Sequence, residues 1–369
     1  MKKIFKFIIN RLVEATKLLI VIILSFILFV YAFSVKNNIT FKTTLSYLQS
    51  VGNELLHSQN IIKIPDYTTP EDSVQASTVP TPNNNYYYYS QLNNSAKMIY
   101  STLEKNIDNL KKENYIIDFY NTFNDLLHNP VGQYQLNKDF QSALDAFFYD
   151  HPELFYIDLT KISLVINSIS FGPMTTYTVQ IAPKDNKSYL HDYFDSEEKL
   201  ALAITKVENI KNKIIDIVKD YELYDQILHV HDMLVNSLKY DYTLSKPNIY
   251  NIYGALVEKE VVCEGYAKSF KYIMDALDVE CILVVGTASS DLTKAEAHMW
   301  NYVKLDNKWY GVDVTWDDSM SGSGISSAIR HNYFLKGVNT FSVSHYPSGR
   351  MSEKGMLFSL PTLCDENYK

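Results

Sequence analysis

A cysteine, a histidine and an aspartate stand in three short blocks of this sequence, in a combination that nucleophilic catalysis can use. Cys263 opens the run Cys-Glu-Gly-Tyr-Ala, His298 lies in Ala-His-Met-Trp-Asn, and Asp313 opens Asp-Val-Thr-Trp-Asp. A thiol becomes an effective nucleophile when a base or a helix N-terminus activates it, and an imidazole oriented by a carboxylate is such a base. These residue types therefore predict acyl transfer through a thioester on the cysteine.

The segment that follows Cys263 has the spacing of an amphipathic helix. Apolar side chains recur along one face of it, at Tyr266, Phe270, Ile273, Met274 and Leu277. The cysteine is therefore expected at the helix N-terminus, where unpaired N–H groups favour an anion. Its backbone amide can donate to the oxyanion of a tetrahedral intermediate, and Tyr240 and Tyr253 are two candidates for the second donor.

The histidine and the aspartate are expected on two strands of one hairpin. Residues 296–316 are rich in Trp, Tyr and Val, and Asp306–Asn307 can form a two-residue turn between the strands. In that register His298 lies opposite Thr315, and Asp313 projects from the same face as a diagonal neighbour, with Cβ atoms roughly 7–8 Å away or less. A slip of one residue would place the histidine and the aspartate on opposite faces.

These blocks resemble the transglutaminase-like superfamily in its bacterial form. The matching runs are Cys-Glu-Gly-Tyr-Ala at 263–267, His-x-Trp at 298–300 and Asp-Val-Thr-Trp-Asp at 313–317. The upstream run at 231–241 is similar to the helix that precedes this core. The resemblance covers residues 225–346, and three separated blocks match in order.

The resemblance implies a fold and a set of roles. The expected fold class is α+β with a papain-like, transglutaminase-like core, in which a helix bearing the nucleophile Cys263 packs on an antiparallel sheet. That sheet bears the base, His298, and the orienting acid, Asp313. The resemblance does not fix the reaction, because relatives include cross-linking enzymes, peptidases, amidases and members without catalysis.

Nearby residues have alternative interpretations. Trp300 and Trp309 are expected to form core or cleft walls. Asp317 or Asp318 could replace Asp313 as the acid, although both fall beyond the region paired with the histidine. We therefore expect the earlier aspartate to be the acid.

No metal or cofactor is predicted. His229, His231 and Asp232 have the chemistry of metal ligands, but only one of two helical residues at spacing i, i+2 faces a given side, and no partner cluster is visible in the sequence. The sequence also has no glycine-rich phosphate loop. A bound nucleotide is therefore not expected.

An apolar segment near the N-terminus predicts a membrane anchor. Residues 18–35 carry no charge, and a helix of that length spans about 27 Å, close to the thickness of a hydrocarbon core. Basic residues dominate 1–17, so the positive-inside rule keeps this segment cytoplasmic and the catalytic domain extracellular, in a single-pass protein of the cell membrane. The alternative is a cleaved signal peptide, with the small residues Ala32 and Ser34 at the cleavage site.

Composition narrows the classes of partner and scaffold. The chain has a net charge of −8, so nothing in it suggests a nucleic-acid partner. Only three cysteines occur, which excludes a scaffold built on disulfides, and an odd count leaves at least one thiol unpaired. Cys263 is the natural candidate for that thiol, and a bond between Cys281 and Cys364 stays open.

The remaining sequence predicts a spacer, an accessory domain and the catalytic domain. Residues 36–94 form an extracellular spacer that is largely disordered from residue 60, where Pro, Thr, Ser and Asn dominate. The four tyrosines Tyr86–Tyr89 could dock on the body of the protein or on a carbohydrate. Residues 95–196 are expected to form a mainly helical accessory domain with a hairpin, and 197–369 the catalytic domain.

Periodicity gives the elements of these domains. Helical patterns extend from residue 95 to 110 and from 116 to 127, 140 to 149, 197 to 220 and 222 to 239. Strand-like runs at 162–171 and 175–182 predict a hairpin across Gly172 and Pro173.

The sequence as a whole predicts an extracellular enzyme with a cysteine nucleophile that acts on amide bonds. Hydrolysis of cell-surface proteins or peptidoglycan peptides, by a peptidase or amidase, is the first hypothesis. Protein cross-linking is the alternative, since an amine can resolve the thioester in place of water. A non-catalytic binding or scaffold module is the contrasting class. The expected partners are a protein or peptide substrate and, through the N-terminal helix, the membrane.

Overall fold

The computed structural model describes residues 86–171, 174–184, 187–289, 295–318 and 331–369. The α-helices in these ranges are α1 (Asn94–Lys105), α2 (Asn124–Leu127), α3 (Gly132–Asp150), α4 (Glu197–Val218), α5 (Leu223–Ser237), α6 (Cys263–Ala276), α7 (Val314–Asp317) and α8 (Val338–Phe341). The strands are β1 (Ile117–Asp118), β2 (Ile162–Phe171), β3 (Met174–Pro183), β4 (Lys239–Tyr240), β5 (Glu260–Val261), β6 (Cys281–Ala288), β7 (Glu296–Leu305), β8 (Lys308–Val312) and β9 (His345–Pro347).

A four-stranded antiparallel sheet and one helix form the centre of the molecule. The strand order is β8-β7-β6-β9, and α6 packs its apolar face on this sheet. Phe270 and Ile273 of the helix and Val284 of the sheet are completely buried. The Asn301 side chain on β7 donates a hydrogen bond of 3.0 Å to the Ala267 carbonyl of α6. The predicted α+β arrangement, a cysteine-bearing helix on an antiparallel sheet, is confirmed.

The hairpin between β7 and β8 has the predicted register. Leu305 pairs with Lys308, and the pairing continues to Asn301 opposite Val312. Asp306 and Asn307 have φ angles of 51° and 59°, the left-handed values that a type I′ turn needs. The pairing of His298 with Thr315 was wrong, because β8 ends one residue before Asp313, which caps α7 instead.

The region before the core is a helical layer with a long hairpin. Strands β2 and β3 pair over their whole length, as predicted. A helix across residues 116–127 was wrong in its first half: Ile117 and Asp118 pair with the edge of β3, and only Asn124–Leu127 is helical. The Gln180 side chain on β3 also donates a hydrogen bond of 2.9 Å to the Asp118 carboxylate. Pairing with a neighbouring strand therefore overrides the local helical pattern.

The two long helices before the core are confirmed with slightly shorter bounds. The Ser196 side chain caps α4 by accepting a hydrogen bond from the Lys199 amide, and two glutamates stand in the first turn. Helix α5 follows after a short connection and ends at Ser237, just before β4.

The tyrosine run docks on the body of the protein. Tyr88 and Tyr89 are buried, and both of their backbone amides donate to the Asp150 carboxylate at the end of α3, at 3.3 and 3.0 Å. The Tyr88 hydroxyl donates to the Leu283 carbonyl of β6. The chain from Tyr86 onward therefore shares one hydrophobic core with the central sheet.

The membrane-spanning part of the predicted fold class requires a correction. Among the residues that the structure describes, no helix is both long enough and apolar enough to cross a bilayer. The predicted span at 18–35, its signal-peptide alternative, and the spacer up to residue 85 lie outside the described residues. For the described residues, the fold class is therefore corrected to the α+β core and the region that precedes it, and no membrane-spanning helix is among their elements.

Candidate active site

Cys263 stands at the first position of α6, as predicted. The preceding residue is held by a 3.0 Å hydrogen bond from the Val262 amide to the Ile249 carbonyl. Gly265 allows this close approach, since a Cβ there would lie 2.6 Å from the Val261 Cβ and 2.9 Å from the same carbonyl. The cysteine is a free thiol and partly exposed. The helix therefore presents it at its positive end with access from solvent.

His298 and Asp313 are hydrogen-bonded to each other. The distance from Nε2 of the histidine to Oδ2 of the aspartate is 2.7 Å. The other carboxylate oxygen, Oδ1, accepts hydrogen bonds from the Thr315 and Trp316 amides at 3.0 and 3.2 Å, which caps α7. The Asp313 amide donates to the Tyr333 carbonyl at 3.0 Å. The carboxylate is thus anchored at both ends, and a capping role and an orienting role coincide in one residue.

The thiol is the second partner of the imidazole. A hydrogen bond and the charge of Cys263 both act on His298, whose Nε2 is already taken by the aspartate, so Nδ1 is the nitrogen left for sulfur. Burial lowers the pKa of His298, but the Asp313 carboxylate and the thiolate outweigh it and raise the value to about 10. Burial also opposes ionisation of Asp313, yet the charge of His298 and the imidazole hydrogen bonds hold its pKa well below the usual range. The electrostatics favour a protonated imidazole beside an ionised carboxylate.

The raised pKa of His298 predicts a pH-dependent stability. Because the folded-state pKa of about 10 lies above the ordinary 6.5, protonated His298 stabilises the fold fully below pH 6.5, and this contribution is lost as the pH rises through 10. The gap in melting temperature between the wild-type protein and His298→Gln should therefore shrink across this window. Thermal unfolding followed by circular dichroism measures it. A gap that stays constant from pH 6 to about pH 10.5 would contradict the assignment.

The structure distinguishes between the two tyrosines considered as oxyanion donors. Tyr240 is half-buried and lies close enough to Cys263 for the thiolate charge to act on it. Burial and then that charge raise the pKa of Tyr240 to about 12, so its hydroxyl stays protonated and able to donate. Tyr253 is only 7% exposed and packs among aromatic rings, stacked on Phe155 and edge-on to Phe194. Tyr240 is therefore the candidate that we retain for the second donor.

One contributor to the site was missed by sequence reasoning. Nε2 of His345 lies 2.9 Å from the same Oδ2 of Asp313 that bonds His298. His345 opens β9, which pairs with the far edge of β6 through Gly286, where a Cβ would lie only 2.2 Å from the Tyr346 carbonyl. It lies 32 residues beyond Asp313 in the chain and belongs to no recognisable block. The one signal was a histidine in a short strand-like run, which is too common a pattern to assign a role.

The other predicted residues fall into structural positions. Trp300 is buried with its ring centroid 6.0 Å from that of His298, and the partly exposed Trp316 lies 5.6 Å away on the other side. Trp309 packs against Tyr87. Asp317 is buried against His231 at 3.2 Å, and so it is not the acid that orients His298.

Two groups among the described residues have the donor atoms for a metal ion. One is the active-site set itself, His298, Asp313 and His345. The other, His231, Asp232 and His331, joins two residues of α5 to one that is distant in sequence, with Asp232 bonded to both rings at 2.9 and 2.7 Å. In both groups, the carboxylate already pairs with the two imidazoles.

One family model and one curated relative match part of the chain. Residues 210–314, which include all three predicted catalytic residues, match the model of the transglutaminase-like superfamily. A curated relative, Kyphoscoliosis peptidase of Mus musculus, is 26% identical over 98 residues, which are 24% of this chain and 15% of that protein. The chain thus spans only a small part of that relative.

Two solved structures are similar to part of the chain, with low TM-scores. One is a TGase, at 13% identity with a TM-score of 0.28, covering 47% of this chain and 49% of the other. The second is a proposed cysteine protease from Cytophaga hutchinsonii, at 13% identity with a TM-score of 0.26, covering 43% and 66%.

Proposed function

Because residues 210–314 form a transglutaminase-like domain, we propose that this protein is a cysteine-nucleophile enzyme that cleaves amide bonds in proteins or peptides. The observation that supports the proposal most directly is the convergence of three side chains that are distant in sequence. The 2.7 Å contact of His298 with Asp313, together with the effect of Cys263 on the pKa of His298, supports an arrangement in which the imidazole activates the thiol.

The first chemical step is acylation. The Cys263 thiolate attacks the carbonyl carbon of the scissile amide, and the oxyanion that forms accepts hydrogen bonds from the Cys263 amide and the Tyr240 hydroxyl. The C–N bond then breaks, and the His298 imidazolium gives its proton to the departing amine. Asp313 stabilises the imidazolium throughout and keeps Nδ1 directed at sulfur.

The second step is deacylation of the thioester. Neutral His298 takes a proton from water, the resulting hydroxide attacks the thioester carbonyl, and the C–S bond breaks to release the acid and restore the thiol. The partial exposure of residue Cys263 supports water as the acceptor. The same exposure argues against a purely structural cysteine. An extracellular location, with cell-surface proteins or peptidoglycan peptides as substrates, stays a prediction of the sequence.

Product analysis separates hydrolysis from transfer. The purified full chain is incubated with casein, or with a short peptide containing glutamine, with and without the primary amine monodansylcadaverine. Hydrolysis predicts new peptide termini or released ammonia at a rate that the amine does not change, and no dansyl label on the products. Quantitative incorporation of the amine would instead identify a cross-linking acyltransferase.

The Tyr240 assignment gives a second prediction with a matched control. Tyr240→Phe should lower kcat about 100-fold with little change in KM, because the lost hydroxyl serves only the developing oxyanion. Tyr253→Phe removes the same atom from an aromatic cluster and should stay within a few-fold of the wild type. Initial rates of casein hydrolysis measure both. Equal losses in the two variants would refute the choice of Tyr240.

A further inference from the structure

We infer that His345 is a positioning residue for the catalytic acid: it holds the Asp313 carboxylate in place independently of His298. The inference rests on the proposed function, because it concerns the acid of the same reaction. It adds one residue to the proposed site, and that residue lies on β9, an edge strand of the sheet.

The contacts of His345 leave it little freedom. Both of its ring nitrogens are bonded, Nε2 to Oδ2 of Asp313 at 2.9 Å and Nδ1 to the Ser344 hydroxyl at 2.9 Å. The side chain is 1% exposed, and its ring stacks on Phe341 with centroids 4.1 Å apart. When the Ser344 hydroxyl donates to Nδ1, the proton of the neutral ring stands on Nε2, which then donates to the carboxylate.

The two carboxylate oxygens of Asp313 have different partners, and this explains why a second imidazole matters. Oδ1 is held by two backbone amides, and Oδ2 is held by His345 even when the bond to His298 lengthens or turns during proton transfer. The carboxylate therefore does not have to reorient when the imidazolium forms, which is the condition for electrostatic stabilisation without reorganisation.

The pairing of β9 with β6 holds His345 in this position, and neither strand carries a reacting group. His345 pairs with Ala288 on β6, and the Ser289 amide donates to the Ser344 carbonyl at 2.9 Å. Three other titratable groups interact electrostatically with Asp313: His298 on β7, Asp317 on α7, and Tyr333. A pH profile of the site therefore reports on this set together with the thiol.

The rate of alkylation of Cys263 by iodoacetamide tests the inference without a substrate. The rate is followed by peptide mass spectrometry between pH 5 and pH 9 in the full chain, with Cys364 as an internal reference thiol. His345→Leu should alkylate about 10- to 100-fold more slowly at pH 7, and its profile should move to higher pH, because a loosely held acid stabilises the imidazolium less.

Two further variants separate positioning from packing. His345→Gln keeps an N–H donor and should recover the rate to within a few-fold of the wild type. Phe341→Leu removes the stacked ring and should lower the melting temperature while leaving the alkylation rate unchanged. If His345→Leu does not fold, Ser344→Ala replaces it and should slow alkylation several-fold.

The outcomes distinguish the proposed function from the positioning role of His345. A wild-type Cys263 that reacts no faster than Cys364 would refute the proposed function itself. A fast wild-type thiol with an unchanged rate in His345→Leu, or with no recovery in His345→Gln, would overturn the positioning role alone.

Discussion

Replacement of Asp313 by asparagine is expected to reduce the rate of casein hydrolysis by about four orders of magnitude while the protein stays folded. The amide oxygen can still accept from the Thr315 and Trp316 amides, so the cap on α7 survives. The amide NH₂ group then faces both His298 and His345 and must donate where the carboxylate accepted. The imidazole is forced to carry its proton on Nδ1, and that nitrogen can no longer take the proton of the thiol.

Asp317→Asn is the matched control for this substitution. Asp317 lies one helical turn further on and is fully buried, with His231 and the Tyr333 amide as partners rather than His298. The control should lose about 1–3 kcal/mol of stability and keep its activity within an order of magnitude. If Asp317→Asn were inactive and Asp313→Asn active, the acid would have been assigned to the wrong carboxylate.

The second large effect concerns the nucleophile. Cys263→Ala should abolish turnover, with a loss of at least about 10⁴-fold, because Cys263 is the group that forms the acyl intermediate. Cys364→Ala is the appropriate control, since Cys364 is also a free and partly exposed thiol in a different part of the fold. It should retain wild-type rates in the same assay of casein hydrolysis. Residual turnover in Cys263→Ala would mean that the reaction uses another nucleophile.

Local sequence patterns were sufficient for the elements that carry Cys263 and His298. The apolar spacing after residue 263 predicts α6, and a two-residue turn with left-handed φ values fixes the register of β7 and β8. Both features depend on interactions within about twenty residues, where periodicity and turn chemistry are strong signals. The antiparallel sheet and its helix follow from the resemblance of the three blocks.

Contacts between distant segments could not be predicted in the same way. Ile117 and Asp118 become a strand only because β3 offers a free edge. The choice of Tyr240 over Tyr253 depends on which ring the fold brings to the sulfur. His345 reaches Asp313 because β9 pairs with β6, and a strand of three residues has too little pattern for its pairing to be inferred.

The local structure at Asp313 differs from the one that the strand register predicts. A diagonal neighbour was expected on a continuing strand, but the chain leaves the sheet at Val312 and starts α7 with the aspartate as its cap. The carboxylate reaches His298 all the same, because the cap fixes Oδ1 and leaves Oδ2 facing the ring. The predicted contact was therefore correct, while the local structure that supports it differs from the expected strand.

Intact-protein mass spectrometry after brief exposure to an activated acyl ester is the most direct test of the central claim. The account predicts one acyl group per chain, mapped to Cys263 as a thioester that hydroxylamine removes. Formation of this adduct should be lost in Cys263→Ala and greatly slowed in Asp313→Asn. An adduct on any other residue, or an unmodified Cys263 in a folded wild-type protein, would contradict it.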